Sequence, residues 1–205
     1  MFGGPVKFSP FKCIYKTRPG RDILFRMKRI VITGGPGSGK TTIIRQLMTR
    51  GFRTTPEAAR LVIEEERRRD RKASPHIDDP ARFQQLVFRR QLELESEIHD
   101  ELVFLDRGLV DGYAYCRLKN ISIPESLSIL ARERYDLVFF LAPLDEIEDD
   151  GVRSDEREDF RAIDRELESA YREFNYSIIP VPSGPVTVRI DHILDRIASD
   201  RGSYL

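Results

Sequence analysis

The stretch Gly34-Gly35-Pro36-Gly37-Ser38-Gly39-Lys40-Thr41-Thr42 limits what this chain can fold into more than any other part of it. It fills the pattern G-x-x-x-x-G-K-[ST] without a mismatch. Before it runs Arg29-Ile30-Val31-Ile32-Thr33, a β-branched run that reads as a buried strand. After it, Thr42-Ile43-Ile44-Arg45-Gln46-Leu47-Met48 carries apolar residues at helical spacing. Strand, glycine loop and helix in that order make a phosphate-binding loop. Gly35, Pro36, Gly37, Ser38, Gly39, Lys40, Thr41 and Thr42 are then the expected cradle. Glycines allow successive N–H groups to turn inward, and the helix beginning near Lys40 adds its positive end. Lys40 is placed to reach the β- and γ-phosphates of a nucleoside triphosphate, ATP by expectation, and the Thr41 hydroxyl to ligate Mg²⁺.

The 205 residues suffice for one α/β domain, expected over 27–205. Acidic and basic residues balance at 34 each, which argues against a nucleic-acid protein dominated by phosphate contacts, though not against a local basic groove. Cys13 and Cys116 lie far apart, show no metal-type spacing and fit a reducing cytoplasm. No apolar run reaches transmembrane length, so membrane insertion is not expected. Residues 1–26 hold six Lys/Arg against the single acid Asp22, with Pro5, Pro10 and Pro19; they read as a poorly ordered basic extension without a role in the chemistry.

Along the chain, further strands are expected at 52–55, 102–106, 135–141 and 177–181, separated by helical segments. Residues 73–80 read as a loop, followed by a helix over 81–100 with Phe83, Leu86, Val87, Leu94 and Ile98 on its buried side. Alternating strands and helices imply a three-layer sandwich: a five-stranded, mainly parallel sheet with helices on both faces. Ligands bind such sheets at the carboxyl ends of the strands. There the sequence places the glycine loop, Glu57, Asp106 and the acidic loop Asp149–Arg153 along one edge.

Asp106 ends an apolar strand and reads as the Walker B acid, a second Mg²⁺ ligand beside Thr41. The next residue is Arg107, where mechanical ATPases usually carry a second acid, and no guanine-reading Asn/Thr-Lys-x-Asp motif is present. Asp106-Arg107-Gly108 resembles the Asp-Arg pairs of thymidylate and nucleoside kinases; Arg107 either holds substrate or makes a structural ion pair. Glu57 stands where such kinases keep a base for the acceptor hydroxyl. Arg60, one turn on, either orients Glu57, meets substrate or forms a surface pair. Asp111 joins Arg60 and Arg107 as a substrate-side candidate, with Tyr113, Tyr115 and Cys116 following it on the same helix. Arg153 sits where small-molecule kinases carry a lid arginine that neutralises the transferring phosphoryl group. The expected catalytic set is therefore Lys40, Glu57, Asp106 and Arg153.

The glycine loop at 34–42, Glu57-x-x-Arg60, Leu105-Asp106-Arg107-Gly108 and Asp149-Asp150-Gly151-Val152-Arg153-Ser154 together resemble the NadR-like group of P-loop ATPases and kinases. The resemblance runs over about residues 27–200 and takes in the ribosylnicotinamide kinase domain of the bifunctional NAD-biosynthesis regulator. It implies a P-loop NTPase fold, ATP, Mg²⁺ and transfer to a small hydroxyl-bearing acceptor, nucleoside-like or ribosylated. A nucleotide-binding regulator working through a protein partner, and a polynucleotide 5′-hydroxyl kinase, are the alternatives. A homo-oligomer is left open.

Overall fold

The computed structural model describes residues 28–144 and 154–202. The basic extension 1–26, the acidic stretch Asp149–Arg153 and with it the lid candidate Arg153 lie outside the described residues.

Five strands form one sheet: β1 (Lys28–Thr33), β2 (Arg53–Thr55), β3 (Leu102–Asp106), β4 (Leu137–Leu141) and β5 (Ile178–Val181). Their order is β2-β3-β1-β4-β5, and every neighbouring pair runs parallel. The sheet is therefore wholly parallel, where the sequence suggested mainly so. The centre of the sheet is apolar on both faces because both are covered, and period-two alternation sorts its side chains. Ile30, Ile32, Phe104, Phe139 and Leu141 face one core. Helices α1 (Lys40–Thr49) and α8 (Val186–Gly202) close it with Ile43, Leu47, Ile190 and Ile193. Val31, Val103, Leu105, Val138 and Phe140 face the other. That second face is covered by α4 (Pro80–Ser96), α5 (Leu109–Leu118), α6 (Glu125–Ala131) and α7 (Ser154–Glu173), among whose residues Phe88, Leu109, Leu167 and Tyr171 are buried.

After β1 the chain crosses to the β2 side of the sheet, and after β3 it crosses back to β4. The loops that follow β1 and β3 thus flank the point where strand order reverses, the crevice in which open α/β sheets hold ligands. Helix α2 (Ala58–Arg69) leaves from the end of β2 beside it.

Three local expectations are corrected. Residues Pro75–Asp78 form a short helix, α3, within the stretch read as loop, and α4 starts directly after it at Pro80. Asp79 caps α4, its Oδ1 accepting the Arg82 amide at 3.0 Å. Helix α4 ends at Ser96, short of the expected 100; it buries Phe83, Gln84, Phe88, Gln91 and Glu95, and Ile98 is buried beyond its end. Leu86, Val87 and Leu94 are only half-buried. The inward stripe is half polar, so a hydropathy pattern misplaces it by about a third of a turn. Finally, β4 begins at Leu137; Tyr135 is buried ahead of it, its hydroxyl accepting the Leu109 amide at 2.7 Å.

Candidate active site

The phosphate loop is built around a lysine held out of water. Lys40 is 8% exposed, and its Nζ donates to the Gly35 carbonyl at 2.6 Å and to Ser38 Oγ at 3.1 Å. Burial, helped by the nearby Arg107 charge, pulls its pKa down to about 7, against the opposing pull of Asp111, Asp106 and Glu57. A group so placed gains its full charge when an anion arrives. Gly34 has φ 136°, and a Cβ there would lie 2.6 Å from the Leu141 carbonyl oxygen, so only glycine fits where the loop leaves the sheet.

Two side chains that the sequence did not single out hold the loop from behind. Asp164 of α7 accepts the Gly35 amide at 2.6 Å. Arg189 of α8 is 3% exposed and donates through Nη1 to the Ser38 carbonyl at 2.8 Å and through Nη2 to that of Ala142 at 3.1 Å. Neither contact has a local sequence signal, since the partners lie 129 and 151 residues apart.

Asp106 ends β3 with 5% exposure, facing the crevice. Burial, then the Glu57 charge, push its pKa up to about 6. Its Oδ1 is buried without a hydrogen-bond partner among the described residues. Thr41, half-buried, also forms no side-chain hydrogen bond among them. No cluster of three or more His, Cys, Asp or Glu suited to a metal is found among the described residues. An unpaired buried carboxylate oxygen together with a free hydroxyl fits Mg²⁺, which takes one or two protein oxygens and completes its shell with phosphate and water.

Arg107 is the hub of the site. It has φ 72°, a left-handed conformation that a long side chain adopts only when its surroundings impose it. Its backbone N–H donates to the Ile32 carbonyl at 3.2 Å, and its own carbonyl accepts from Gln91 Nε2 at 3.3 Å. The guanidinium donates through Nε to Glu57 Oε1 at 3.0 Å, and through Nη1 to Asp111 Oδ1 at 3.0 Å and to the Gly34 carbonyl at 3.3 Å. It also lies 5.5 Å from the centre of the Tyr115 ring. Burial works against the charge, but Tyr115, Asp111 and Glu57 outweigh it, and the pKa is raised. Gln91 is held in turn by Glu95, which is fully buried and also bound by Arg134 and Tyr135. A polar network under α4 thus fixes the segment Arg107-Gly108-Leu109.

The structure brings Lys40, Glu57, Asp106, Arg107 and Asp111 together at the carboxyl edge of the sheet. Glu57 is the N-cap residue of α2 and pairs with Arg107. Arg60 is exposed and forms no hydrogen bond or ion pair among the described residues, so neither the Glu57–Arg60 pair nor an orienting role for Arg60 is seen. Asp111 is 2% exposed, and both its oxygens are taken within the protein. Oδ1 accepts from Thr33 and Arg107, Oδ2 from the Gly108 amide and Tyr171. It anchors Arg107 and leaves no oxygen for a ligand. Tyr113 packs edge-on against Phe174, and Cys116 is buried in the core, its thiol pushed up to about 11 by that burial. Tyr115 does face the site.

Beside Glu57 and Arg107 opens a cavity of about 270 Å³ between α2, α4 and α5, which Lys40 does not line. Its walls are largely apolar. Gly112 allows it this shape, since a Cβ there would lie 2.8 Å from the Phe88 ring. Among the described residues no helix is long and apolar enough to cross a membrane.

Known structures share this architecture. The NadR protein, solved in complex with NR, superposes with a TM-score of 0.59 at 20% identity, over 84% of this chain and 50% of that one. Thymidylate kinase from Ehrlichia chaffeensis gives 0.58 at 16% identity, over 83% of this chain and 98% of that one. Deoxyadenosine kinase from M. mycoides gives 0.54 at 17% identity, over 83% and 98%. This chain spans about half the length of the NadR chain it matches. At these identities the likeness is one of fold, that of P-loop nucleoside and nucleotide kinases. No curated protein matches the sequence. The family model described as AAA domain, AAA_28, matches residues 29–189, and this chain belongs to that family.

Proposed function

We propose that this protein is a Mg²⁺- and ATP-dependent kinase that transfers the γ-phosphate to a hydroxyl of a small nucleoside-like or ribosylated acceptor. The observation that carries the reading is the place of the Glu57–Arg107 pair. It borders both the phosphate loop, which Arg107 touches at the Gly34 carbonyl, and the open cavity between α2, α4 and α5. Phosphoryl transfer needs two such compartments and a carboxylate at their junction.

In this reading the backbone N–H groups of residues 37–41 hold the β- and γ-phosphates and Lys40 takes up full charge against them. Thr41 and Asp106 would hold Mg²⁺, which would supply neutralisation of charge on the phosphates. Glu57 accepts the acceptor's hydroxyl proton as the new O–P bond forms and the bond to the β-phosphate oxygen breaks, releasing ADP. Arg107 keeps Glu57 aimed. Arg153 is the candidate to close over the γ-phosphate from the acidic loop after β4.

The test is ATP consumption with Mg²⁺ across a panel of nucleosides, ribosylnicotinamide and a 5′-hydroxyl oligonucleotide, with the product weighed by mass spectrometry. One acceptor gaining a phosphate, and losing that gain in Glu57→Gln while ATP still binds, is the expected result. Tight ATP binding with no acceptor effect anywhere in the panel would replace the kinase with a nucleotide-responsive regulator.

A further inference from the structure

Arg189 is a buried cation that no carboxylate neutralises among the described residues. It is 3% exposed and lies in the first turn of α8, where the positive end of the helix disfavours a cation and no acidic residue stands. Its guanidinium donates only to two neutral carbonyls, those of Ser38 at 2.8 Å and Ala142 at 3.1 Å, and its Nε is buried without a partner among the described residues. Burial lowers its pKa, and no neighbouring charge opposes that shift. Arg107 and Arg134, also held largely out of water, are by contrast paired with Glu57, Asp111 and Glu95. A buried charge without its counter-charge is costly, so the place of Arg189 in the fold points to an anion outside the chain.

We infer that Arg189 is a positioning residue for the nucleotide: from the far side of the loop it supplies a fixed positive charge for the phosphates and polarises the Ser38–Gly39 peptide, so that the Gly39 N–H grips them. The inference rests on the reading of residues 37–41 as the phosphate cradle, and not on phosphate transfer. Ser38 and Gly39 share a trans peptide unit, in which the C=O and the N–H point in opposite directions. Arg189 holds the C=O, so the Gly39 N–H points away from it. A cation on the carbonyl draws electron density from the N–H, and the two hydrogen bonds of one peptide unit strengthen each other. Gly39 has φ 83°, and a Cβ there would stand 3.1 Å from Arg189 Nη1, so glycine lets the guanidinium close on the loop. The Ala142 carbonyl, just past β4, pins the other side of the guanidinium and keeps it there when the cradle is empty. Two hydrogen bonds and one peptide unit set the guanidinium about 8 Å from a phosphate oxygen on the Gly39 N–H. Over that distance, at an effective dielectric of about 20, one unit charge changes affinity by about tenfold to a hundredfold.

Calorimetric titration of the full-length protein with ADP and with pyrophosphate, each in the presence of Mg²⁺, tests this beside the amide NMR spectrum of the ADP-bound protein. Arg189→Met should weaken both ligands by about tenfold to a hundredfold, and by similar factors, because the charge acts on phosphate and not on the base. Arg189→Lys keeps the charge and should stay within about threefold of the parent, while the neutral Arg189→Gln should bind as weakly as Arg189→Met. In ADP-bound Arg189→Met the Gly39 amide proton should move upfield by more than those of Lys40 and Thr41, whereas mere loosening of the loop would spread the change over all three. Circular dichroism reports that each variant is folded; should Arg189→Met not fold, the Lys and Gln variants carry the same comparison. Arg189→Gln binding as well as Arg189→Lys, a loss for ADP that pyrophosphate does not share, or an unmoved Gly39 amide would overturn the inference. A parent protein that binds neither ligand would overturn both the inference and the cradle it rests on. The expected pattern in a protein that phosphorylates no acceptor would remove the kinase reading and keep the role of Arg189.

Discussion

Replacing Gly35 by alanine isolates the contact that ties α7 to the phosphate loop. Gly35 is buried and its φ is not positive, so the backbone accepts alanine without strain. The new Cβ would stand 2.5 Å from Asp164 Oδ1 and 3.0 Å from its Cγ, well inside contact distance. Asp164 is half-buried and can swing toward water, so the methyl displaces the carboxylate and leaves the loop intact. What is lost is the 2.6 Å hydrogen bond from the Gly35 amide to a charged acceptor, worth about 1.5–3 kcal/mol. Asp164→Ala removes the same bond from the other side and should cost a similar amount. In the double variant the methyl occupies space the carboxylate has vacated, and no second bond remains to break. The costs should therefore fail to add by roughly 1.5–3 kcal/mol, the signature of two residues sharing one interaction. Urea unfolding of the nucleotide-free protein, its Gly35→Ala and Asp164→Ala variants and the double variant measures all four corners. Additivity within about 0.5 kcal/mol, or a Gly35→Ala protein as stable as the parent, would refute the contact and the coupling drawn from it.

Four other expectations bear on the site. Arg107→Met leaves the buried Asp111 and its neighbour Glu57 without their cation and should cost about 3–5 kcal/mol in urea unfolding, whereas Glu57→Gln, which keeps the shape, should cost about 1 kcal/mol or less. Arg189→Met removes two charged hydrogen bonds from the back of the loop; it should lower stability by about 1–3 kcal/mol and weaken ATP binding in the same preparation, measured by calorimetry. Gly112→Ala presses on Phe88 and should lose about 1–3 kcal/mol by overpacking while narrowing the cavity, seen as weaker acceptor binding at unchanged ATP affinity. Lys40 has a folded pKa of about 7 against 10.5 for an unperturbed lysine, so between those pH values the unfolded chain binds a proton that the folded chain does not. The stability of the nucleotide-free protein should rise with pH across that window relative to Lys40→Met, by at most about 5 kcal/mol; parallel pH profiles for the two proteins would contradict it.

What the sequence discloses here and what it withholds divide along the distance between partners. Strand β1, the glycine loop and α1 are contiguous, so their pattern states the phosphate site outright, and Asp106 follows from its place at the end of an apolar strand. Glu57 was legible as a strand-end carboxylate, but its partner was not. Helical spacing suggested Arg60, three residues on, while the fold supplies Arg107 from the next strand-end, 50 residues away. Asp164 and Arg189 were silent for the same reason, being ordinary charged residues on amphipathic helices until the crossover brings them behind the loop. Helix α4 shows a different kind of silence. Of its five buried positions, 83, 84, 88, 91 and 95, three are Gln or Glu, so hydropathy assigns the stripe to the neighbouring leucines and valine. Burying an amide or a carboxylate is tolerable only where partners wait, and those partners, Arg107, Arg134 and Tyr135, are set by tertiary structure. Gln84 departs from this: its Oε1 is buried on the same stripe without a hydrogen-bond partner among the described residues.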